Sequence, residues 1–280
     1  MKNLKVCIYI KNQPIRLGGR ITPAILAAFE GFKKHGITAK LVNPHLTFKC
    51  DLAVLWGIRK NHQMRSGKRA LVLERGYLLD RLSWTSCGFD GLNGYANFCN
   101  KNSPSDRWNL YYKDLLKPWR RNYKGNYVLI MGQVTNDAAV KHIDIEAWYL
   151  NTFLKLREHD FNVAFRPHPK MRFKTRFEIM GLCPILRNSL EESLAKAKWV
   201  VTLNSNSGVD SVLAGIPTVT IDEGAMAWGV TGHDCAKPPP MPSRRQWSYD
   251  MGYTQYTYEE IASGLMWDHK KHSLEELLNA

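Results

Sequence analysis

VVTLNSNSGVDSVLAGIPTVTI, residues 200–221, is the stretch of sequence that decides the fold. Its first four residues form an apolar, largely β-branched run. After a polar turn, apolar side chains recur at helical spacing until Gly215 and Pro217, and a second apolar run follows. This order predicts a strand, a tight loop, a helix and a strand. Ser205 and Ser207 stand where helix N-caps belong, and the free N–H groups and the helix dipole predict an anion site at the loop.

Strands and helices alternate outward from this stretch through both halves of the chain. The predicted strands are 6–10, 38–42, 52–56, 70–73, 127–131, 162–165, 200–203 and 218–221, and the predicted helices are 21–35, 145–157, 190–197, 244–252 and 258–267. Residues 77–122 predict loops and short helices, and Lys117–Gly125 resembles a linker. The pattern predicts an α/β fold with two Rossmann-like, doubly wound domains facing a cleft. The predicted parts are the domains 1–122 and 123–243 and a C-terminal helical segment, 244–280.

The composition is that of an ordinary globular protein, with 44% hydrophobic and 11% aromatic residues in 280. There is no run of about 18 apolar residues, so we expect no membrane span. The N-terminal MKNLKVCIYIKNQ resembles a first strand rather than a signal peptide. The six cysteines contain no CxxC pair, which predicts reduced thiols, a cytoplasmic location and no zinc site.

The chain is strongly basic, with a formal net charge of +14 from 39 basic and 25 acidic residues. The basic residues cluster at 59–69, 117–124 and 166–176. This excess predicts an anionic partner, which would be nucleic acid, an anionic membrane surface or an anionic glycan. The alternative is that the clusters are solvated faces that keep the protein soluble.

Polar groups follow three predicted strands of the second half, at the edge where doubly wound sheets bind ligands. The segments are Gly132-Gln133-Val134 with Asp137 close behind, Arg166-Pro167-His168-Pro169-Lys170, and the loop 204–208 with Asn206 between its two serines. Arg166, His168 and Lys170 together predict a phosphate site, because arginine binds phosphate through paired hydrogen bonds and lysine as a point charge. The alternatives are a structural histidine beside a turn and serines that only cap the helix.

In order and spacing, these segments resemble the capsule polysaccharide β-Kdo glycosyltransferase family over residues 125–235. The family shows GQVxxDAS, (K/R)PHP and GFEALxxGxPV continuing to AGWG, and this chain has GQVTNDAA, RPHP, SGVDSVLAGIPTV and MAWG. The resemblance implies a GT-B fold, a nucleotide-activated sugar donor in the second domain and no obligatory metal. It also implies a last helix that returns to the first domain. Carried over by position, it suggests Gln133, His168, Ser205 and Ser207 as donor-site groups.

Further residues of the predicted donor site follow from the resemblance and from the phosphate argument. The family's Phe-Glu pair is Val209-Asp210 here, so Asp210 stands where an acid of GT-B enzymes often contacts the donor. Arg166, Lys170 and Asn206 complete this set. Gly18 and Gly19 would bring backbone amides near the donor or acceptor, with an ordinary turn as the alternative. A UDP-linked and a CMP-linked donor both remain open.

The whole chain also resembles small glycosyltransferase-like proteins of phages and prophages. The shared segments are LERGY, DGLNG and a C-terminal QWxxDxxxxQ(W/Y)(S/T)xxEIASGxxW, here Leu73–Tyr77, Asp90–Gly94 and Gln246–Trp267. Together with the charge, this favours transfer of sugar to hydroxymethylated bases of double-stranded DNA in the host cytoplasm. An extruded base would be held by rings such as Trp84, Phe89 and Trp108. The alternatives are a Kdo-like transferase acting on a glycan or lipid, and a non-catalytic nucleotide- or DNA-binding module.

Glycosyl transfer also needs a base that removes the proton of the acceptor hydroxyl. We expect this base in the first domain, at a strand end or in the aromatic loop. The candidates are Asp80, Glu74 and Asp90. The alternatives are that Glu74 pairs with Arg75 or Arg81 and that Asp90 serves the turn that follows it.

Overall fold

The computed structural model describes residues 4–10, 21–58, 61–120, 125–135, 137–171 and 173–279. The chain divides into two compact units, Met1–Tyr111 together with Tyr249–Ala280, and Tyr112–Ser248. Each unit contains a sheet with parallel strands and several helices. The predicted α/β class is therefore confirmed.

Strands and helices alternate along most of the described residues. The strands are β1 (Val6–Tyr9), β2 (Ala39–Val42), β3 (Cys50–Trp56), β4 (Gly67–Arg75), β5 (Trp84–Phe89), β6 (Tyr127–Met131), β7 (Val163–Arg166), β8 (Ala197–Thr202), β9 (Thr218–Thr220) and β10 (Gln255–Thr257). The α-helices are α1 (Pro23–Lys34), α2 (Asn61–Met64), α3 (Asp106–Tyr111), α4 (Ile145–Glu158), α5 (Arg176–Met180), α6 (Leu190–Ala195), α7 (Ser207–Leu213), α8 (Arg245–Gly252), α9 (Tyr258–Ser263) and α10 (Leu265–Asn279).

The first unit contains a six-stranded sheet in the order β10-β5-β4-β3-β1-β2. The strands β2, β1, β3 and β4 are parallel, with Val6 opposite both Ala39 and Leu52. The strands β5 and β10 run antiparallel to their neighbours. Continuous apolar runs form the central strands because both faces of the sheet are buried. The carboxyl ends of the four parallel strands therefore meet at one edge.

This sheet is larger than the sequence predicted, because β5 lies in the segment 77–122 that was expected to form loops and short helices. All six β5 residues are buried between β4 and β10. A strand without an exposed face lacks the alternation that marks a strand in a sequence. Trp84, Phe89 and Trp108, predicted to hold an extruded base, are at most 7% exposed. That prediction is wrong, because these rings pack inside the unit.

The C-terminal segment contains one more helix than predicted, and its aromatic side chains lie in both units. The predicted helix 258–267 is two helices, because Gly264 adopts φ 93° and ends α9. The aromatic side chains are divided between the units. Trp267 packs in the core of the first unit, 4.8 Å from Phe32 between ring centroids, whereas Trp247 lies in the second unit and donates to a backbone carbonyl there at 3.0 Å.

The second unit contains four parallel strands in the order β7-β6-β8-β9. The central strand β6 coincides with the predicted strand 127–131. The fully buried Tyr149 of α4 packs against Phe165 of β7 at 4.9 Å and against Phe177 of α5 at 6.2 Å, between ring centroids. These rings fix α4 and α5 beside the sheet, so that the loops after β6 and β7 start from a rigid base.

Local capping explains why the helices of the second unit begin where they do. The Asp144 carboxylate accepts from two backbone N–H groups at the start of α4. Thr175 and Glu178 form a capping box on α5, and Ser189 and Glu192 form one on α6. These signals are local, which is why the sequence reveals them.

The predicted linker at Lys117–Gly125 is part of the second unit as far as it is described. The backbone N–H groups of Lys117 and Arg120 donate to carbonyls of the turn between α7 and β9, at 2.8 and 3.0 Å. The buried Arg244 guanidinium lies 3.8 Å over the Trp119 ring and donates to the Lys117 carbonyl at 2.6 Å. Residues 117–120 are therefore docked on the unit, and the linker prediction is wrong for them.

Candidate functional site

The carboxyl ends of the second sheet bring together the three polar segments that the sequence singled out. Because β7, β6, β8 and β9 are parallel neighbours, their carboxyl ends lie at one edge. Gln133 follows β6, Arg166 ends β7 and Asn204 follows β8. Asp222 follows β9 at the same edge. Ligands of open parallel sheets bind at this edge, so it is the candidate site.

Gln133 and Asn204 join the ends of β6 and β8. The Gln133 Nε2 donates to Asn204 Oδ1 at 2.8 Å, and the Asn204 backbone N–H donates to Gln133 Oε1 at 3.1 Å. The two residues are 6% and 4% exposed. The Gln133 backbone is held in turn by the Tyr149 hydroxyl, which accepts from Gln133 N at 2.7 Å. The carboxamide predicted to contact the donor thus makes a buried connection between two strand ends.

The loop after β6 is fixed to the edge at two further points. The Asn204 Nδ2 donates to Ala139 O at 2.8 Å. The His142 Nε2 lies 2.8 Å from Asp222 Oδ2, and the histidine side chain is 47% exposed whereas that of Asp222 is 4% exposed. Between these points, the exposed Asp137 accepts from Ala139 N and starts one turn of 3-10 helix. The edge therefore presents one exposed carboxylate and one histidine on a loop that is held firmly.

The RPHP segment after β7 lies directly against Gly132. The Gly132 N–H donates to Arg166 O at 2.8 Å. A Cβ at Gly132 would lie 3.0 Å from Pro167 Cα and 3.1 Å from His168 N, so a side chain there would displace the segment. The His168 Nδ1 accepts from the Lys170 backbone N–H at 3.1 Å, which assigns the ring proton to Nε2 in the neutral form. Lys170 thus orients the imidazole through its backbone, and its side chain is exposed.

Arg166 is the most informative of the predicted phosphate-binding residues. Its Nη2 donates to Asn188 O at 3.1 Å. Its Nε is buried and has no hydrogen-bond partner among the residues that the structure describes. Burial lowers the pKa of the guanidinium. A buried N–H without an acceptor is unfavourable, so this group favours a ligand that supplies one.

A cavity of about 290 Å³ opens at the carboxyl end of β7. Four lining residues carry basic side chains: Arg166, His168, Lys174 and Arg187. The other lining residues are Pro167, Pro169, Met171, Phe173, Glu178 and Leu186. The Glu178 carboxylate is 2% exposed and already bonded to Arg187 and to the Thr175 hydroxyl. The cavity is at the small end of ligand sites, and its positive lining favours a phosphate or a carboxylate.

The loop between β8 and α7 differs from the predicted cap. Asn206, in the right-handed helical region, is the N-cap residue and makes no side-chain capping bond. The Ser205 Oγ accepts from Ser207 N at 3.2 Å. The Ser207 Oγ is buried without a hydrogen-bond partner in the described part of the chain. Ser205 therefore does stabilise the turn, but Ser207 is already the first residue of the helix and does not cap it. Asp210 lies in the first turn of α7 and is half-buried.

The predicted phosphate-binding residues share an edge but not one cavity. His168 follows β7 and Ser205 follows β8, and β6 lies between these strands. With neighbouring strands about 4.8 Å apart, the two strand ends are about 10 Å apart. The residues that line the β7 cavity include none from the loop 204–208. The edge thus has two separate polar sites, the cavity after β7 and the loop 204–208 after β8, with Gln133 between them.

The three predicted bases lie at different places in the first unit. Glu74 is at the carboxyl end of β4. Its carboxylate lies close to Gly57, since a Cβ added to that glycine would be 3.0 Å from Glu74 Oε2. Asp80 is exposed and accepts from the Ser83 hydroxyl at 2.6 Å and from Leu82 N at 3.0 Å, and these hydrogen bonds lower its pKa.

Asp90 is held at the other end of the same strand. It accepts from Ala70 N at 2.8 Å and lies 3.4 Å from the Arg69 guanidinium. Because Ala70 and Glu74 are four residues apart on β4, their backbones are about 13 Å apart. The structure therefore does not bring the three carboxylates together, and it supports the alternative of a turn role for Asp90.

Three further predictions concern the two glycines, a metal and a membrane span. Gly18 and Gly19 lie outside the described residues. In the described ranges, no group of three or more His, Cys, Asp or Glu side chains is arranged to hold a metal ion. No helix among the described residues is long and apolar enough to cross a membrane.

Four residues of this edge were not predicted as site residues from the sequence: His142, Asp222, Lys174 and Arg187. Lys174 and Arg187 reach the cavity because the chain leaves β7, forms α5 and returns to pair with Phe165. His142 and Asp222 meet although they are 80 residues apart. Only the position of Asp222 directly after a predicted strand pointed to this edge in the sequence.

Comparisons with known proteins agree with this fold. No protein-family model and no curated protein matches the chain. Among solved structures, it is similar to the β-Kdo 2,7 transferase of Thermosulfurimonas dismutans KpsC, with TM-score 0.55 and 16% identity over 94% of this chain and 98% of that one. It is also similar to the β-Kdo 2,4 transferase of the same KpsC, with TM-score 0.58 and 15% identity over 89% of this chain and 90% of that one. At these identities the likeness shows the fold, which is that of GT-B neighbours, and to that extent the stated resemblance is confirmed.

Proposed function

We propose that this chain is a glycosyltransferase that takes a nucleotide-activated sugar and binds the donor phosphate at the cavity beside β7. The observation that carries the proposal is the buried Arg166 Nε, which lacks an acceptor in a cavity lined by basic groups. Its place at the carboxyl edge of a parallel sheet is where such sheets bind nucleotides. The shared fold with two Kdo transferases supports the same reaction class.

The chemistry of the cavity favours a donor with more than one anionic group. Arg166, Lys174 and Arg187 supply basic side chains, and the single lining carboxylate is already paired with Arg187. A CMP-linked acidic sugar supplies one phosphate and one carboxylate, and a UDP-linked sugar supplies two phosphates. We favour the CMP-linked acidic sugar, because two separated anions suit cations that come from β7 and from the segments on both sides of α5.

Residues on the other side of Gln133 complete the proposed donor site. Ser205, Asn206 and Ser207 would donate to the phosphate or the sugar, and the Ser207 hydroxyl is buried without a partner among the described residues. Asp210 would accept from a donor hydroxyl, as the family resemblance implies. Gln133 acts indirectly by fixing the strand ends. Lys170 acts through its backbone by orienting His168.

In the proposed reaction, a carboxylate removes the acceptor proton while the cations stabilise the leaving phosphate. Glu74 fits this role better than Asp80 or Asp90, because it ends a parallel strand at the carboxyl edge of its own sheet. Asp80 has a lowered pKa, which makes it a weaker base. Asp137 is a fourth candidate, since it is exposed on the loop of the donor unit. Activity measurements on Glu74→Gln, Asp80→Asn, Asp90→Asn and Asp137→Asn would rank them.

A glycan acceptor is favoured over DNA, although the charge keeps DNA as a second candidate. Residues 1–111 contain 18 basic and 6 acidic residues, which suits a polyanion. The rings that would hold an extruded base are buried. The aromatic residues predicted to hold an extruded DNA base are therefore not accessible to one. An anionic glycan requires only basic residues on the surface of the protein.

Thermal unfolding with a panel of nucleotides tests the proposal. CMP, CMP-linked acidic sugars, UDP and UDP-linked sugars are each added to the full chain. A ligand at 100 times its dissociation constant stabilises the protein by about 2.7 kcal/mol. We expect stabilisation by the CMP series, and we expect His168→Asn to remove it while Lys198→Met, which removes an exposed charge from β8, retains it. If none of the nucleotides stabilises the protein, the proposal is wrong.

The acceptor is tested separately with the donor that binds. Transfer of radiolabelled sugar to an anionic oligosaccharide, at low and high salt, is compared with transfer to hydroxymethylcytosine-containing duplex DNA. Label on the oligosaccharide alone supports the glycan, and label on the duplex restores the DNA acceptor. Nucleotide binding with no transfer to either class and no donor hydrolysis supports the non-catalytic module.

A further inference from the structure

The segment between β7 and residues 184–186 carries a surface that is largely separate from the proposed reaction, which uses only Lys174 of it. The chain leaves the sheet after Arg166, forms α5, and returns where Leu186 N donates to Phe165 O at 2.8 Å. Helix α5 is anchored by Phe177 and Glu178, which are buried. Arg176, Ile179 and Met180 are exposed, at the i, i+3 and i+4 spacing that places side chains on one helix face. The outer face of α5 is therefore both basic and apolar.

Large apolar side chains in this segment are unusually exposed. Phe173 is 82% exposed, Ile179 70%, Met180 50% and Leu182 42%. All four lie within ten residues of one another, and they flank a helix whose ends are fixed by a capping box and by Gly181 at φ 63°. We name Phe173, Lys174, Arg176, Ile179, Met180 and Leu182 the α5 surface. Several large apolar side chains exposed within one short, firmly held segment are typical of an interaction site.

The charges of the same segment select the partner. Residues 170–187 contain five basic residues and one acidic residue. The acidic residue is Glu178, whose carboxylate is 2% exposed and paired with Arg187. Lys170, Lys174 and Arg176 are exposed. The surface thus presents cations and aliphatic or aromatic side chains together, with no exposed acid in the described part of the segment.

We propose that the α5 surface docks on the face of a lipid bilayer that contains anionic lipids. Basic side chains bind anionic headgroups, while exposed Phe, Ile, Met and Leu side chains enter the interface between headgroups and acyl chains. Duplex DNA would match the cations but leave Ile179, Met180 and Leu182 in water. This inference goes beyond the proposed reaction, because it assigns a peripheral membrane contact to an otherwise unassigned surface.

The surface adjoins the β7 cavity, since Phe173 and Lys174 belong to both. Docking would therefore bring the cavity mouth near the headgroups. Vesicle binding is measured without nucleotide or sugar, so that its result does not depend on whether the cavity binds a sugar donor.

Vesicle sedimentation of the full chain tests the contact. The vesicles are phosphatidylcholine alone or phosphatidylcholine with 30 mol% phosphatidylglycerol, a fraction we choose as roughly that of an anionic leaflet. We expect binding to the anionic vesicles that falls with added salt, and little binding to the neutral ones. The variant Phe173→Ser/Ile179→Ser and the variant Lys174→Glu/Arg176→Glu should each lower the partition coefficient about tenfold or more. Leu154→Ser, which changes a 47% exposed leucine on α4 of the same unit, should leave it unchanged.

A fluorescence variant reports insertion directly. Phe173→Trp should shift its emission to shorter wavelength on anionic vesicles, and Leu154→Trp should not. Equal binding by the wild type and both α5-surface variants overturns the proposal, as does no binding to anionic vesicles at low salt. A wild-type dimer that Ile179→Ser converts to a monomer would also overturn it, because a second copy would then cover the surface.

Discussion

Arg107 in the first unit is buried and Arg166 in the second is half-buried, and their surroundings are opposite. The Arg107 guanidinium lies 2.7 and 3.0 Å from the two Glu260 oxygens, donates to the carbonyls of Gly252 and Gln255, and lies 4.6 Å from the Tyr256 ring. The Arg166 Nη2 donates to the Asn188 carbonyl at 3.1 Å, and its buried Nε has no partner among the described residues.

An arginine with a structural role differs from an arginine that binds a ligand in how many of its N–H groups find acceptors within the chain. Every contact of Arg107 described above is with its own unit, so it holds α3 to the C-terminal segment. Arg166 stands at a cavity with other cations, and its unsatisfied donor favours an anion from outside the chain. Burial of a charged group is common to both, and the acceptors within the chain distinguish them.

The largest effect is expected where the buried ion pair is broken. Arg107→Met leaves the Glu260 carboxylate, whose side chain is 11% exposed, without its cation. We expect a loss of about 3–5 kcal/mol in the free energy of unfolding, measured with urea. Lys101→Met, which removes an exposed charge from the same unit, should change it by less than about 0.5 kcal/mol. A loss below about 1 kcal/mol for Arg107→Met would contradict its structural role.

A second buried cation of the first unit predicts a pH dependence. Lys270 is 1% exposed and donates to the Phe98 carbonyl at 2.5 Å. Burial lowers its pKa to about 8, with Cys87 and Cys99 raising it and Arg107 lowering it further. In the unfolded chain a lysine titrates near about 10.4. The native state therefore binds fewer protons between these values, and stability rises as pH increases from about 8 to about 10.4.

The comparison of wild type with Lys270→Met isolates this effect from the cysteines and tyrosines that titrate in the same range in the unfolded chain. The difference in unfolding free energy should move in favour of the wild type by up to about 3 kcal/mol between pH 7.5 and 10.5. Urea unfolding at several pH values measures it. A difference that does not change with pH would mean that Lys270 keeps an ordinary pKa.

For Arg166, the expected effect is on binding rather than on stability. Arg166→Met removes the donor that lacks an acceptor within the chain, so the unfolding free energy should change by less than about 1 kcal/mol. Affinity for CMP should fall by about 10- to 150-fold, the value of one charge-assisted hydrogen bond of about 1.5–3 kcal/mol. Isothermal titration calorimetry measures it, with Lys198→Met as the charge-matched control. Unchanged affinity together with a large loss of stability would place Arg166 in the same class as Arg107.

The smallest effect concerns the neutral pair at the same edge. A double-mutant cycle with Gln133→Ala and Asn204→Ala should give a coupling energy of about 0.5–1.5 kcal/mol, because the two side chains share one buried hydrogen bond. The second bond, from the Asn204 backbone N–H to Gln133 Oε1, is kept in Asn204→Ala. Thermal or urea unfolding of the four proteins measures it. Additive single effects would show that the two strand ends are not coupled through this contact.

Much of the second unit was predictable because its signals are local. The strand 127–131, the helix that begins at Ile145 and the Ser189 cap are each specified by residues within one turn or one strand. The first unit was less predictable. Strand β5 is buried on both faces, and its antiparallel partner β10 comes from about 170 positions later in the chain, so no local pattern marks either.

The sequence predicted where the candidate site lies, but not which of its residues bond to one another within the chain. The positions of Gln133, Arg166 and Ser205 after strands placed them at one sheet edge. The sequence did not reveal that Gln133 bonds Asn204, that Ser207 begins the helix instead of capping it, or that Asp90 is held at the opposite end of β4 from Glu74. These outcomes depend on which groups face each other across the sheet.

By itself, the sequence determined the α/β class, most strand and helix positions of the second unit, and the residues that reach its carboxyl edge, because apolar periodicity and capping act over short distances. Only the tertiary structure decided which polar groups are satisfied within the chain. Arg107 and Arg166 look alike as residues, and the difference between them is set by acceptors that are remote in sequence. The same holds for the α5 surface, whose exposure follows from the side on which Phe177 and Glu178 are buried.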